Sequence, residues 1–162
     1  MASFTDWALV ESQLTSLLEG TEVWVSALAN ASAYLMESLE DLNWVGFYLT
    51  GRIMGQGVGV DELALGPFQG RVACERIAYG RGVCGSALER DETLRVDDVH
   101  EFAGHIACDS ASRSEIVVPL HAGGHVVGVL DVDSPNLARF DAADQAGFEA
   151  CARVIEHLLP AN

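Results

Sequence analysis

Apolar residues recur at helical spacing at both ends of the chain. Thr5-Asp6 can cap a first helix that ends near Gly20, and a second helix follows over about residues 22–39. A last helix begins after a cap at Asp141. The apolar stripes of these helices are Trp7, Val10, Leu14, Leu17 and Leu18 in the first, Val23, Ala27, Ala31, Tyr34 and Leu35 in the second, and Phe148, Cys151, Ala152, Ile155 and Leu159 in the last.

Strand patterns occupy the middle of the chain. Two runs, residues 115–121 and 125–133, flank Ala122-Gly123-Gly124 and predict a hairpin whose second, nearly all-apolar strand is central in the sheet. Helices before and after an antiparallel sheet predict a single α+β domain over residues 1–162, with the terminal helices packed on the sheet. The other predicted elements are strands at 44–49, 62–65 and 94–96, a flexible turn at 51–59, a short helix at 84–90 and an irregular loop at 100–113.

The composition is that of an ordinary globular domain. Of the 162 residues, 49% are hydrophobic and 20% are charged, which is typical of folded chains. No run approaches the roughly 18 apolar residues that a membrane span requires. The first residues lack the charged and apolar regions of a signal peptide. These features predict a cytoplasmic protein, in which thiols stay reduced.

Acidic residues dominate the charge. There are 24 Asp and Glu residues against nine basic ones, all arginine, for a formal net charge of −15. The absence of lysine excludes a P-loop lysine and a Schiff-base lysine. The acidity argues against nucleic acid and anionic membranes as partners, because both require a basic footprint. Most of it indicates a soluble surface, and a few carboxylates are candidates to bind a substrate ammonium group.

Three of the four cysteines lie in loops or at the ends of elements. These are Cys74, Cys84 and Cys108, whereas Cys151 falls on the apolar stripe of the last helix and is predicted to be a core residue. In a reducing compartment, clustered thiols are more often catalytic, redox-sensing or metal-binding than structural. A thiol that attacks and is oxidised needs a second thiol within reach to reset it. The three cysteines therefore indicate redox chemistry.

Carboxylates and aromatic residues occupy matching positions on the predicted strands. Asp131 and Asp133 are two apart and share a face, and the hairpin brings Glu115 back beside them. Trp44 and Tyr48 also share a face. From the residues alone, a solvated strand end is the more frequent case for an acidic pair such as Asp131 and Asp133, and Glu115 could be a charge at the hairpin edge. The aromatic pair could equally be ordinary strand packing.

Six sequence blocks carry a resemblance to a known enzyme family. In order and spacing they resemble the motifs of the free methionine-(R)-sulfoxide reductases, small enzymes built on a GAF domain. The match covers about residues 43–140, and six blocks together are specific, whereas a GAF fold alone would indicate little about function. The blocks are Asn-Trp-Val-Gly-Phe-Tyr at 43–48, Leu-Gly-Pro-Phe-Gln-Gly at 65–70, Gly-Arg-Gly-Val-Cys-Gly at 80–85, Gly-His-Ile-Ala-Cys-Asp at 104–109, Ser-Glu-Ile-Val-Val-Pro-Leu at 114–120 and Gly-Val-Leu-Asp-Val-Asp-Ser at 128–134.

The resemblance implies a thiol mechanism. Cys108 would be the nucleophile that attacks the sulfoxide sulfur, leaving a sulfenic acid as methionine departs. Cys74 would condense with it to a disulfide that thioredoxin reduces, and Cys84 would be an auxiliary or alternative resolving thiol. Trp44 and Tyr48 resemble the aromatic side of the pocket that holds the methyl-thio end. The implied enzyme binds no cofactor or metal, uses thioredoxin as external reductant and acts in oxidative stress. The resemblance is compatible with a homodimer and does not decide the oligomeric state.

The resemblance also assigns the carboxylates. Glu115, Asp131 and Asp133 would hold the substrate's ammonium group and assist at the sulfoxide oxygen, which must be protonated to leave. Carboxylates near Cys108 should oppose formation of its thiolate. We hypothesise that the bound ammonium group relieves this opposition, or that one carboxyl group has a raised pKa and stays neutral.

Two other functions fit parts of the sequence. A GAF-type sensor that binds a small molecule without catalysis would keep the pocket but would have no use for reactive thiols. A metal site built from Cys74, Cys84, Cys108 and a histidine is disfavoured by spacing, because structural zinc sites use closely paired cysteines.

Overall fold

The computed structural model describes residues 5–105 and 110–161. Its strands form one six-stranded antiparallel sheet with the order β3-β2-β1-β6-β5-β4, so the predicted α+β class is confirmed. The elements are α1 (Trp7–Leu18), α2 (Trp24–Ser38), β1 (Trp44–Thr50), α3 (Gly51–Met54), β2 (Leu63–Gly70), β3 (Arg76–Ile77), α4 (Gly82–Arg90), β4 (Leu94–Val96), β5 (Ser114–Ala122), β6 (His125–Ser134) and α5 (Ala142–Glu156).

The helix ends follow the predicted caps. The Asp6 carboxylate accepts a hydrogen bond from the backbone N–H of Leu9 at 3.1 Å, and Asp141 and Asp144 form a reciprocal capping box at the start of α5. The prediction that the stripe residues face the core is wrong for two of them, because Leu17 is 44% exposed and Val23 is 55% exposed. The α1 stripe follows an i, i+4, i+8 spacing that passes beside Leu17, and Val23 is the capping residue outside α2.

None of the helices within residues 5–105 and 110–161 combines the length and the apolar character needed to cross a bilayer.

The two faces of the sheet are covered differently. One face packs against α2 and α5, on which α1 packs in turn, through a core that includes Phe47, Leu130 and Phe148. The opposite face packs against α4 and carries Trp44, Tyr48 and the other side chains of a smaller apolar cluster. Each large apolar side chain buried in either cluster contributes roughly 1.5–3 kcal/mol, so both faces stabilise the same strands.

The predicted hairpin is confirmed, and β6 pairs with both β1 and β5 at the centre of the sheet. Strand β2 is longer than the predicted 62–65 because it continues through Pro67 to Gly70. The register with β1 shifts between Gly46 and Tyr48, so this proline lies at a bulge, where a missing N–H is tolerated. Within the predicted flexible turn at 51–59, the structure forms the short helix α3.

Candidate active site

A pocket lies between α4 and the face of the sheet that α4 covers. Six of the residues singled out from the sequence line it: Trp44, Tyr48, Cys84, Glu115, Asp131 and Asp133. Its other lining residues are Ala73, Ile77, Arg81, Gly82, Val83, His105 and Ser112. The alternation along β1 and β6 and the hairpin between β5 and β6 bring these side chains together.

Aromatic rings form one wall of this pocket. The rings of Trp44 and Tyr48 stack with centroids 6.0 Å apart, and Phe68 stacks on the other side of Trp44 at 5.2 Å. Gly46 makes the stack fit, because a Cβ there would lie 2.4 Å from the Cβ of Phe68 and 2.5 Å from the Trp44 ring. Phe68 was not among the residues predicted to line the pocket, although it lies in one of the six blocks.

The polar ends of the same two rings hold the loop that carries Cys74. The indole N–H of Trp44 donates to the carbonyl oxygen of Arg71 at 3.0 Å. The Tyr48 hydroxyl donates to the carbonyl oxygen of Cys74 at 2.9 Å. Burial and the nearby carboxylate of Asp131 raise the pKa of Tyr48, so its hydroxyl stays protonated as a donor. The aromatic wall and the Cys74 loop are therefore one connected unit.

Two buried carboxyl groups converge opposite the aromatic wall. Glu115 on β5 pairs in register with Asp133 on β6, and Val117 pairs with Asp131. Glu115 and Asp131 are each only 6% exposed. The alternatives in which Asp131 is a solvated strand-end charge and Glu115 is a charge at the hairpin edge are therefore wrong, because neighbouring strands and α4 cover both side chains.

Their pKa values are both raised. Burial, followed by the neighbouring charge of Asp131, raises the pKa of Glu115 well above its usual range. Burial also raises the pKa of Asp131 to about 6, while hydrogen bonds with Glu115 and Cys84 lower it in part. Two carboxylates this close cannot both ionise easily. The two raised pKa values therefore favour a state in which the pair shares one proton, and the pKa of Glu115 is the one raised further.

The Cys84 thiol lies in the pocket as part of the same cluster. Its Sγ is 3.9 Å from Oε1 of Glu115, and the thiol is not in a disulfide. Burial raises its pKa well above the usual range, and the charges of Asp131 and Glu115 raise it further. Because the thiolate is the reactive form, Cys84 is a poor nucleophile in this state.

The other three cysteines differ in position. Cys151 is fully buried in α5, as predicted, and does not line the pocket. Cys74 lies on the partly exposed loop between β2 and β3 and is disulfide-bonded. The predicted nucleophile, Cys108, lies outside the described residues, so its assignment stays a prediction.

The beginning of α4 adds a feature that the sequence analysis missed. Arg81, Gly82 and Val83 line the pocket, and Arg81, as the capping residue, provides no side-chain hydrogen bond to the helix. The first N–H groups of a helix have no partner within it and favour an anion. The pocket therefore has an acidic side on β5 and β6 and an anion-favouring side at α4. The Gly-Arg-Gly spacing before the helix was the available signal.

The chain is similar to known proteins over nearly its whole length. The family model of the GAF domain matches residues 22–159. Over 153 residues the chain is 45% identical to the free methionine-R-sulfoxide reductase of Escherichia coli (strain K12), covering 94% of this chain and 88% of that protein.

Two solved structures are similarly close. The fRMsr of Staphylococcus aureus in its reduced form has a TM-score of 0.89 at 44% identity and covers 99% of both chains. The free methionine-R-sulfoxide reductase of Neisseria meningitidis, solved in complex with its substrate, has a TM-score of 0.86 at 44% identity. That comparison covers 98% of this chain and 93% of the other.

Proposed function

This chain belongs to the free methionine-R-sulfoxide reductase family of GAF-domain oxidoreductases, and we propose that it reduces free L-methionine-(R)-sulfoxide to L-methionine. The single observation that carries this proposal is the pocket itself. It combines an aromatic wall, a buried pair of carboxyl groups whose pKa values are raised by burial, and the start of a helix. Each of these parts matches one group of the substrate.

The substrate is a zwitterion, and the pocket has complementary sides. The carboxylate of Asp131, with Asp133 beside it on the same strand face, would accept charge-assisted hydrogen bonds from the ammonium group. The N–H groups at the start of α4, with Arg81, would bind the α-carboxylate. Trp44 and Tyr48 would contact the methyl-thio end. An acylated nitrogen would leave the buried carboxylate without its partner, so the pocket selects a free amino acid.

The chemical step uses the neutral carboxyl group. The Cys108 thiolate attacks the sulfoxide sulfur, and Glu115 protonates the oxygen as the sulfur is reduced. The oxygen then passes to the Cys108 sulfur as the bond between the two sulfurs breaks, so methionine leaves as the sulfide and Cys108 becomes a sulfenic acid. Cys74 then forms a disulfide with Cys108 and water departs. The balance is one sulfoxide and two thiols giving one sulfide, one disulfide and one water.

Regeneration requires an external dithiol. We assign this step to thioredoxin, which would reduce the disulfide by thiol exchange. The disulfide-bonded state of Cys74 and the free thiols of Cys84 and Cys151 are compatible with a Cys74–Cys108 pair. The proposed reaction leaves Cys84 as an auxiliary thiol. The expected setting is the cytoplasm under oxidative stress.

A thioredoxin-coupled assay that follows NADPH oxidation tests the function. We expect turnover of free L-methionine-(R)-sulfoxide, and little or none of the S epimer, the N-acetylated R-sulfoxide or protein-bound methionine sulfoxide. Equal rates on the free and N-acetylated compounds would show that the carboxyl pair does not enclose the ammonium group. Absence of turnover with the free R-sulfoxide, with thioredoxin and its reductase active on a known substrate, would refute the proposal.

A further inference from the structure

The proposed reaction leaves one buried group of the pocket without a chemical task. The Cys84 thiol lies against the carboxyl pair rather than on the Cys74 loop, and its sulfur is not used in the attack or in the resolving step. Ligand atoms of Cys84, Glu115 and Asp131 all lie within 4.8 Å of one another, and the three residues are buried. A thiol and two carboxyl groups around one point are a set of metal ligands.

The distances suit a small ion. Zinc binds thiolate sulfur at about 2.3 Å and carboxylate oxygen at about 2.0–2.2 Å. Ligands around one tetrahedral zinc ion are therefore about 3.5 Å apart. The 3.9 Å between Sγ of Cys84 and Oε1 of Glu115 is already close to that value. The remaining atoms, which lie within 4.8 Å of one another, need to approach by no more than about 1.3 Å to reach that separation, and side-chain rotation can supply this.

A second observation points to a cation at this place. The Oδ1 atom of Asp131 is buried and, within the part of the chain that the structure describes, has no hydrogen-bond partner. The residue is 6% exposed and lines the pocket. An unpaired buried carboxylate oxygen is costly, so a cation entering the pocket would gain the free energy of pairing it.

We propose that Cys84, Glu115 and Asp131 bind Zn²⁺ when the pocket holds no substrate, with water at the fourth position. On binding, the Cys84 sulfur forms a bond to zinc and releases its proton, and any proton on the carboxyl pair is also released. The ion occupies the place of the substrate's ammonium group. Zinc therefore inhibits the enzyme in competition with substrate, a consequence that rests on the proposed function, whereas the binding itself does not.

The test isolates this site from the redox pair. In the C74S/C108S variant the only thiols left are Cys84 and Cys151, so zinc cannot bind to the reduced pair. Titration calorimetry with Zn²⁺ should give one ion per chain, and Cd²⁺ should give the ultraviolet charge-transfer band of a cadmium thiolate. Adding Cys84→Ser should abolish that band and weaken zinc binding beyond the roughly 10–100-fold that loss of an outer-shell partner costs.

Cys151→Ala in the same background is the matched control, since it removes the other buried free thiol. It should leave both the stoichiometry and the cadmium band unchanged. Glu115→Gln and Asp131→Asn should each weaken zinc binding as well. These two variants test the same site if the Cys84 variant does not fold, which circular dichroism would show. Addition of free methionine sulfoxide should lower the apparent zinc affinity.

Unchanged binding without Cys84, or a cadmium band lost only with Cys151→Ala, would overturn the proposal. So would the absence of zinc binding in the C74S/C108S variant. Failure of this inference is separable from failure of the proposed function. Turnover of free methionine sulfoxide without zinc binding removes only the metal site, and zinc binding without turnover removes only the reductase assignment.

Discussion

The two faces of the sheet are built from the same strands but do different work. Leu130 and Asp131 are neighbours on β6, yet Leu130 lies in the apolar core beneath the helices and Asp131 lines the pocket. Phe47 and Tyr48 on β1 divide in the same way. Because successive side chains alternate between faces, a strand can carry a continuous core on one side and polar chemistry on the other.

The two described free thiols lie in the two different clusters, one on each side of the sheet. Burial raises the pKa of Cys151, in the helix-covered core, to about 12. In the pocket, burial together with the charges of Asp131 and Glu115 raises that of Cys84. Neither environment favours a thiolate. The proposed mechanism therefore assigns the attack on the sulfoxide to neither of them.

The largest expected effect is on activity, and it distinguishes the proposed nucleophile from a thiol buried in the core. Cys108→Ser should abolish even a single turnover, because it removes the sulfur nucleophile. Cys151→Ala should retain turnover, since its side chain lies on the other face of the sheet. The measurement is methionine released by reduced protein in the absence of thioredoxin. Full activity in the Cys108 variant would contradict the assignment.

The next effect concerns the proton on the carboxyl pair. Glu115→Gln should lower kcat by roughly 10²–10⁴-fold, the usual contribution of general acid catalysis. In the wild type, kcat should fall on the alkaline side as the raised pKa of Glu115 is passed, and the variant should lack this dependence. Steady-state kinetics across pH measures both.

Exposed Glu92 provides the matched control for this change. The Glu92→Gln variant should keep the wild-type constants and pH profile. A Glu115 variant with a raised KM and an unchanged kcat would show that Glu115 only binds the ammonium group.

Substitutions at the neighbouring residues Leu130 and Asp131 on β6 should have different effects, one on stability and the other on substrate binding. Leu130→Ala should lower the free energy of unfolding by about 2–5 kcal/mol, since it leaves a cavity in the core, with little effect on the kinetics of the folded enzyme. Asp131→Asn should raise KM without comparable destabilisation, because it removes a charge that is buried. Urea unfolding and steady-state kinetics on both variants check this, and loss of stability of equal size in both would contradict the division between faces.

The smallest expected effect is on the pH dependence of stability, at a histidine away from the pocket. Both ring nitrogens of His121 lie within hydrogen-bond distance of carboxylate oxygens: Nδ1 is 2.8 Å from Oε1 of Glu156, and Nε2 is 2.7 Å from Oδ1 of Asp91. Burial lowers the pKa of His121, but the bonds to Glu156 and Asp91 outweigh it and raise the pKa overall. The resulting stabilisation is fully present below the ordinary histidine pKa near 6.5 and is lost as pH rises through the raised value.

Because His121 is partly exposed, this contribution should be at most about 1 kcal/mol. The stability difference between the wild type and His121→Gln, measured by urea unfolding, should therefore shrink from pH 6 to pH 8. Exposed His125 is the control, and His125→Gln should show no such trend. A difference that grows with pH would contradict the sign.

Local patterns predicted most of the architecture. The period-two alternation and the Gly123-Gly124 turn are enough to place Glu115 beside Asp133. The continuation of β2 through Pro67 could not be predicted from local pattern, because the bulge depends on pairing with β1. The stacking of Phe68 on Trp44 and the position of the start of α4 at the pocket depend on tertiary packing in the same way.

A single-turnover experiment on fully reduced protein, without any added reductant, shows which thiols the proposed reaction consumes. With excess free L-methionine-(R)-sulfoxide, we expect about one methionine per chain and the loss of two thiols. Mass spectrometry should assign those thiols to Cys74 and Cys108, with Cys84 and Cys151 still alkylatable. Release of no methionine, or its release with the thiols of Cys74 and Cys108 intact, would contradict the account.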